Sequence, residues 1–204
     1  MTTARRTRMS PQARRDQLIE HGLRQLADRA LDQVSVEEVA EAAGVSRALL
    51  FHYFESKQDF LVALTTTQSR RMLERTEPDL TLEDPLAIAR ASLGEFIDYV
   101  SANRSAYLAI LQGVGASDPA MRKVADDTRA VMAERVLGLA DLLDLQRTPV
   151  LELAVHGWVT FSEQVTVRWL LDDTGITRET LIELITQALP LLAMTAGTLA
   201  AADD

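Results

Sequence analysis

Apolar residues recur three and four positions apart along most of the chain, and no run alternates apolar and polar residues between turn signals. The first pattern lines one face of a helix, whereas the second would mark a half-buried strand, so the chain reads as all-α. Breaks fall near residues 76–84, near 103, at 113–118 with Gly113 and Gly115, near 144–148 and at 172–177 with Gly175. Four pairs, Ser10-Pro11, Asp84-Pro85, Asp118-Pro119 and Thr148-Pro149, set a capping side chain before a proline. Proline is tolerated at the first helical position because the amide hydrogen it lacks has no partner there. The pattern predicts about nine helices, three near the N-terminus and about six after them. The first runs from Ser10 to about Arg29, and the fourth from Ser56 to Arg75.

Residues 35–57 carry the sharpest signal. Ser35 with Glu38 three residues on is a capping-box pattern that starts a helix. Val36, Val39, Ala40 and Ala43 then make one apolar face. Gly44 stands where the chain must turn, because glycine reaches positive φ without steric cost. Val45 anchors the turn, and Ser46 caps the next helix. On that helix Leu50 and Phe54 are four apart and face the core, while Arg47, Ala48 and His52 fall on the outer side. Ser56, with Asp59 three residues on, caps a further helix. Lys57 occupies its first turn, where the helix dipole prefers acid and a phosphate contact is the better reason for a cation. Two short helices joined by a glycine turn are the device that sets one helix into the DNA major groove.

This segment resembles the DNA-binding domain of TetR-family transcriptional regulators. The resemblance rests on Gly44-Val45-Ser46, on Leu50-Phe51-His52-Tyr53-Phe54, and on Ser56-Lys57 followed by Phe60-Leu61. It implies a basic arm and helix-turn-helix domain over residues 1–55 and a helical ligand-binding and dimerisation domain over 56–204. It also implies a DNA-facing set of Ser35, Ser46, Arg47, Ala48, Leu49, His52, Tyr53 and Lys57. Arg47 and Ala48 would approach base edges, and arginine reads guanine bidentately. Ser35 would hold a phosphate at a helix N-terminus. Tyr53 stands open between a phosphate contact and a core ring with an exposed hydroxyl. Two positions depart from the family. Leu49 replaces a frequent threonine and Phe51 a frequent tyrosine, so each loses a hydroxyl.

A formal net charge of −9 would repel a polyanion if it were evenly spread. It is not: residues 1–60 hold nine Lys/Arg against nine Asp/Glu, so the later residues carry the whole excess. Arg5, Arg6, Arg8, Arg14 and Arg15 precede any acid and read as a basic arm that adds phosphate contacts. The chain has no cysteine, which excludes disulfides and thiolate metal sites, and His21, His52 and His156 form no ligand pattern. No cofactor or metal is expected. The absence of a secretory apolar region near the N-terminus points to the cytoplasm.

The last two helices, about residues 150–171 and 178–199, are apolar on more than one face. A helix on a core needs one buried stripe, so a second stripe calls for a second partner. A symmetric homodimer supplies it, and its two-fold axis would match a palindromic operator. A deeply buried helix in a monomer is the rival reading. Pro190 should bend the last helix. Phe96, Tyr99, Tyr107, Trp158, Phe161 and Gln164 are candidates to line a site for an apolar or amphipathic small molecule, or else they are ordinary core. Thr160, Gln164 and Arg168 share one face of an apolar helix and would need partners if that face looked inward. The leading function is a DNA-binding repressor released by a ligand. The alternatives are a constitutive DNA-binding dimer and a helical enzyme, against which Glu152 and His156 lack a second metal-binding pair.

Overall fold

The computed structural model describes residues 9–111, 117–142, 146–172 and 175–201, so Arg5, Arg6, Arg8, Gly113 and Gly115 lie outside the described residues. Among the described residues all regular structure is helical. The helices are α1 (Pro11–Leu26), α2 (Val36–Ala42), α3 (Arg47–Tyr53), α4 (Lys57–Arg75), α5 (Pro85–Ala102), α6 (Arg104–Leu111), α7 (Pro119–Asp141), α8 (Pro149–Leu171) and α9 (Arg178–Ala200). A short 3-10 turn, Leu31–Gln33, stands between α1 and α2.

All four proline starts are capped. The side chains of Ser10, Asp84, Asp118 and Thr148 accept amide hydrogens from Ala13, Leu86, Met121 and Leu151. α1 ends three residues short of the expected Arg29. After it the 3-10 turn and the residue that follows bury Leu31 and Val34. The capping box at Ser35 is only half made. Ser35 Oγ accepts the Glu38 amide at 3.2 Å, but the Ser35 amide donates to Gln25 Oε1 at 2.8 Å. Glu38 pairs instead with Arg29 at 2.7 Å. A side chain from α1 thus takes the place that the local pattern assigns to Glu38. α9 runs through Pro190 without interruption.

The chain forms two compact units. The first takes residues up to Thr67 together with Ser105–Met121, so it includes α1–α3, the first part of α4, and α6 from its second residue onward. Its core gathers Leu18, Leu26, Leu31, Val34, Leu50, Phe54, Phe60 and Leu64, with Ala106 and Met121 in the same cluster. Gly22 lies where α1 meets this core. A Cβ there would stand 2.7 Å from the tip of Phe60 and 2.8 Å from a Leu64 methyl, and both side chains are fully buried. Alanine would regain about 1 kcal/mol of helix propensity, which offsets part of the crowding. A larger residue has no such compensation. Gly22→Leu is therefore expected to lower unfolding stability by about 3 kcal/mol, read as a shift in denaturant midpoint at constant slope. An unchanged midpoint would mean that the core yields at no cost.

The second unit holds residues 68–104 and 122–204. α9 packs on α8 and α5. Trp158 Nε1 of α8 donates to the Ile185 carbonyl of α9 at 2.8 Å. Arg178 of α9 grips Asp98 of α5 with two nitrogens, at 2.5 and 2.7 Å. Those bonds hold the Asp98 carboxyl below the usual carboxylate range. Arg129 of α7 makes a similar two-point contact with Glu163 of α8. By length and composition alone, α9 could cross a membrane. Its ion pairs to α5 and its seat on Trp158 make it instead a packed helix with one open face.

Candidate nucleic-acid interface

The turn between α2 and α3 is a complete Schellman motif. The Gly44 amide donates to Glu41 O and the Val45 amide to Ala40 O, both at 2.9 Å. This closure requires a left-handed residue, and Gly44 supplies it with φ +65. Ser46 then starts α3 by accepting the Leu49 amide at 3.1 Å. The turn and the cap together fix which way α3 faces. Leu50 and Phe54 are buried, while Ser46, Arg47, Ala48 and His52 are exposed and Leu49 is half-buried.

Phe54 meets Phe60 edge to face, with ring centroids 4.8 Å apart. Tyr53 is half-buried against the same core and touches His52 edge-on at 5.4 Å. Lys57 is exposed, and its ammonium donates to the Asp32 carbonyl at 2.9 Å. Ser35 is half-buried at the α2 N-terminus, with its hydroxyl already accepting the Glu38 amide. Ser35 at the start of α2, and Ser46, Arg47 and Ala48 at the start of α3, therefore lie at two helix N-termini, where unpaired amides favour an anion, while His52 is in the last turn of α3.

Of the expected basic arm, Arg14 and Arg15 are among the described residues. Arg14 and Arg15 belong to α1. Arg14 donates to Gln17 at 2.6 Å, and the Arg15 guanidinium lies 4.9 Å over the Phe54 ring. The sequence reading missed Glu37. Its carboxylate sits 3.1 Å from Arg47 Nη1 and accepts the Ser35 hydroxyl at 3.4 Å. The only local hint was its outward position two residues after the cap, with no sign of the arginine ten residues on.

The candidate ligand residues are scattered. Phe96 is buried on α5. Tyr99, on the same helix, is half-buried and donates its hydroxyl to Gln68 Oε1 at 2.7 Å. Burial pushes its phenol above the ordinary value. Tyr107 is half-buried on α6, in the first unit. Trp158 is buried with its indole N–H already satisfied. Phe161 and Gln164 are exposed. The face of Thr160, Gln164 and Arg168 turns outward, and Arg168 pairs with Asp172 on its own helix end. The buried hydroxyls of Ser162, Thr166 and Thr186 each donate to the carbonyl four residues back, so none needs a ligand. A cleft of about 500 Å³ does open in the second unit, lined by Glu77, Asp79, Arg90, Glu95, Arg178 and neighbours. That lining is charged and suits ion pairing between α5 and α9 rather than an apolar guest.

α8 and α9 also present an open apolar face. Leu153 of α8 is 75% exposed, and Leu191 and Met194 of α9 are 65% and 70% exposed. Leu184 and Leu199 continue the stripe on α9, and Phe161 and Leu171 continue it on α8. Apolar stripes of this extent seldom stay open to water on a soluble monomer.

Residues 18–64 match the bacterial regulatory proteins of the tetR family, and residues 85–191 match a tetracyclin repressor-like C-terminal domain. The HTH-type transcriptional activator FasR from Mycolicibacterium smegmatis is 24% identical over 183 residues, which span 88% of this chain and 82% of that protein. A tetR-family transcriptional regulator from Streptomyces coelicolor superposes with a TM-score of 0.75 at 27% identity, covering 96% of this chain and 85% of that one. The regulator FadR from Bacillus subtilis, solved in complex with stearoyl-CoA, shares the fold with a TM-score of 0.63 at 16% identity, over 87% of this chain and 97% of that one.

Proposed function

The chain belongs to the TetR family of bacterial transcriptional regulators, and from that premise we propose that it binds a palindromic operator as a homodimer and leaves it when a small molecule binds. The observation that carries this reading is the outward face of α3. Its first turn exposes Arg47 and Ala48 beside Ser46, on a helix that the Gly44 turn and the buried Leu50 hold in one orientation. Ser35, His52, Tyr53 and Lys57 flank that face and supply phosphate contacts, and Leu49 offers a methyl contact to thymine. The segment 1–55 acts as the DNA reader. The segment 56–204 dimerises, through the open faces of α8 and α9, and receives the effector. The acidic excess in this second segment keeps it off the polyanion, and the protein acts where bacterial DNA lies, in the cytoplasm.

The test is enrichment of duplexes from a random pool by the purified protein. A palindromic consensus supports the reading, while no enrichment from protein freed of small molecules by refolding would sink it.

The effector is an apolar or amphipathic molecule held in the second segment, with Phe96 and Tyr99 of α5 as candidate lining. Phe161 and Gln164, being exposed on the same helix as Leu153, fit the dimer face better. The FadR relative holds stearoyl-CoA, which makes long-chain acyl thioesters the compounds to try first. Stearoyl-CoA is expected to weaken operator binding at least about tenfold, a coupling of about 1.4 kcal/mol, while coenzyme A alone has no effect. An affinity unmoved by acyl thioesters and by free fatty acids would favour a constitutive DNA-binding dimer.

Repression is the proposed output: deleting the gene raises transcription from promoters that carry the operator. One observation favours a second reading, since the FasR relative is named an activator. A fall in the same transcripts would choose activation.

A further inference from the structure

We infer that Glu37 and Phe51 are positioning residues that hold Arg47 in the orientation with which it reads its base. The inference rests on the DNA-binding reading above and adds to it which residues set the specificity of that contact. Arg47 is the first residue of α3, and its side chain is 63% exposed. A free arginine at such a place would sample many rotamers, and that freedom would be lost on binding. Here two neighbours restrict it. Glu37, on α2, stands 3.1 Å from one terminal nitrogen. Phe51, one helical turn along α3, lies under the guanidinium at 5.3 Å from the ring centroid.

These contacts use one edge and one face of the guanidinium. Its five N–H donors are arranged as a planar fork, so the remaining edge is left for the two acceptors of a guanine. Phe51 suits the role because its ring is apolar and half-buried against the core, which fixes the platform. Glu37 suits it because its other oxygen accepts the Ser35 hydroxyl at 3.4 Å, so the carboxylate is itself tethered. The ion pair adds little stability, as Glu37 is 57% exposed and such pairs are screened by water. Its effect is geometric. Glu37 also stands where a phosphate would approach Ser35, and its charge disfavours DNA that cannot reward Arg47 with a base contact.

A simpler role for Glu37 is to place acid in the first turn of α2, where the helix dipole favours it. The two roles differ in what the neutral variant changes. Take the wild-type consensus and identify the guanine whose preference disappears in Arg47→Ala. Then measure affinities for the operator, for the operator with that guanine changed to adenine, and for unrelated duplex. Glu37→Gln is expected to cut guanine-over-adenine discrimination about tenfold while binding to unrelated duplex holds or rises. Phe51→Leu, which keeps an apolar side chain, is expected to lower the same discrimination. In an Arg47→Ala background, Glu37→Gln should change it no further. Undiminished discrimination in Glu37→Gln, or an equal loss with and without Arg47, overturns the proposal. A consensus that Arg47→Ala leaves unmoved overturns it too, but leaves the DNA-binding reading standing. No consensus at all removes both.

Discussion

Replacing Leu184 and Leu191 together by aspartate is expected to give a monomer and to weaken operator binding at least a hundredfold. Both side chains sit on the open face of α9, with Leu184 50% exposed, so neither substitution disturbs the core of the protomer. A two-fold interface repeats each change, so four carboxylates would enter one apolar contact. Burying a charge without a partner costs several kcal/mol each, or else prevents burial altogether. Joining two half-site readers contributes roughly 10²–10⁴ in avidity without any new contact, and the monomer forfeits it. Sedimentation at micromolar concentration, beside operator and half-site affinities, checks the result. The half-site affinity should hardly change. A variant that stays dimeric would move the interface off α9, and a monomer with full operator affinity would remove the need for a dimer.

Arg47→Ala carries the second large effect. A bidentate arginine–guanine contact is worth about 1–3 kcal/mol, and a palindrome uses it twice. The expected loss is roughly 2–6 kcal/mol, from about thirtyfold to more than ten-thousandfold. That loss should be much larger on the operator than on unrelated duplex, where Arg47 has at most one phosphate contact to lose. Lys57→Ala makes the contrast. Its ammonium, which donates to the Asp32 carbonyl here, is proposed to meet a phosphate on DNA, so its removal should weaken all duplexes alike and reduce the salt slope by about one per half-site. Competition titrations at two salt concentrations separate the two patterns. Equal losses on operator and unrelated duplex in Arg47→Ala would reduce Arg47 to a phosphate contact.

These variants also mark where the sequence was legible. The positions of Leu50, Arg47 and His52 on α3 follow from helical spacing, and the spacing is intrinsic to a segment of seven residues; Phe54 is buried as expected, but as the extended residue that caps the helix. Gly44 was legible for the same reason, since the Schellman closure spans only residues 40 to 45. The four proline starts needed no more than the residue before and the amides just after. The apolar excess on α8 and α9 was visible as composition on more than one face.

Contacts between distant residues were not legible. Gln25 reaches across ten residues to take the Ser35 amide, which is why Glu38 turns to Arg29. Glu37 meets Arg47 only because the Gly44 turn folds α3 back beside α2. Phe161 and Gln164 looked like pocket lining from their residue types, yet their exposure was decided by which side of α8 the helices α7 and α9 cover. The sequence by itself determined helices, caps, the turn and the outward register of α3, because those depend on backbone chemistry within four or five residues. The tertiary structure decided the partners of Ser35, Glu38 and Arg47 and the open face of α8. Each of those is a competition between side chains far apart in the chain, and the winner is set by which groups packing brings within reach.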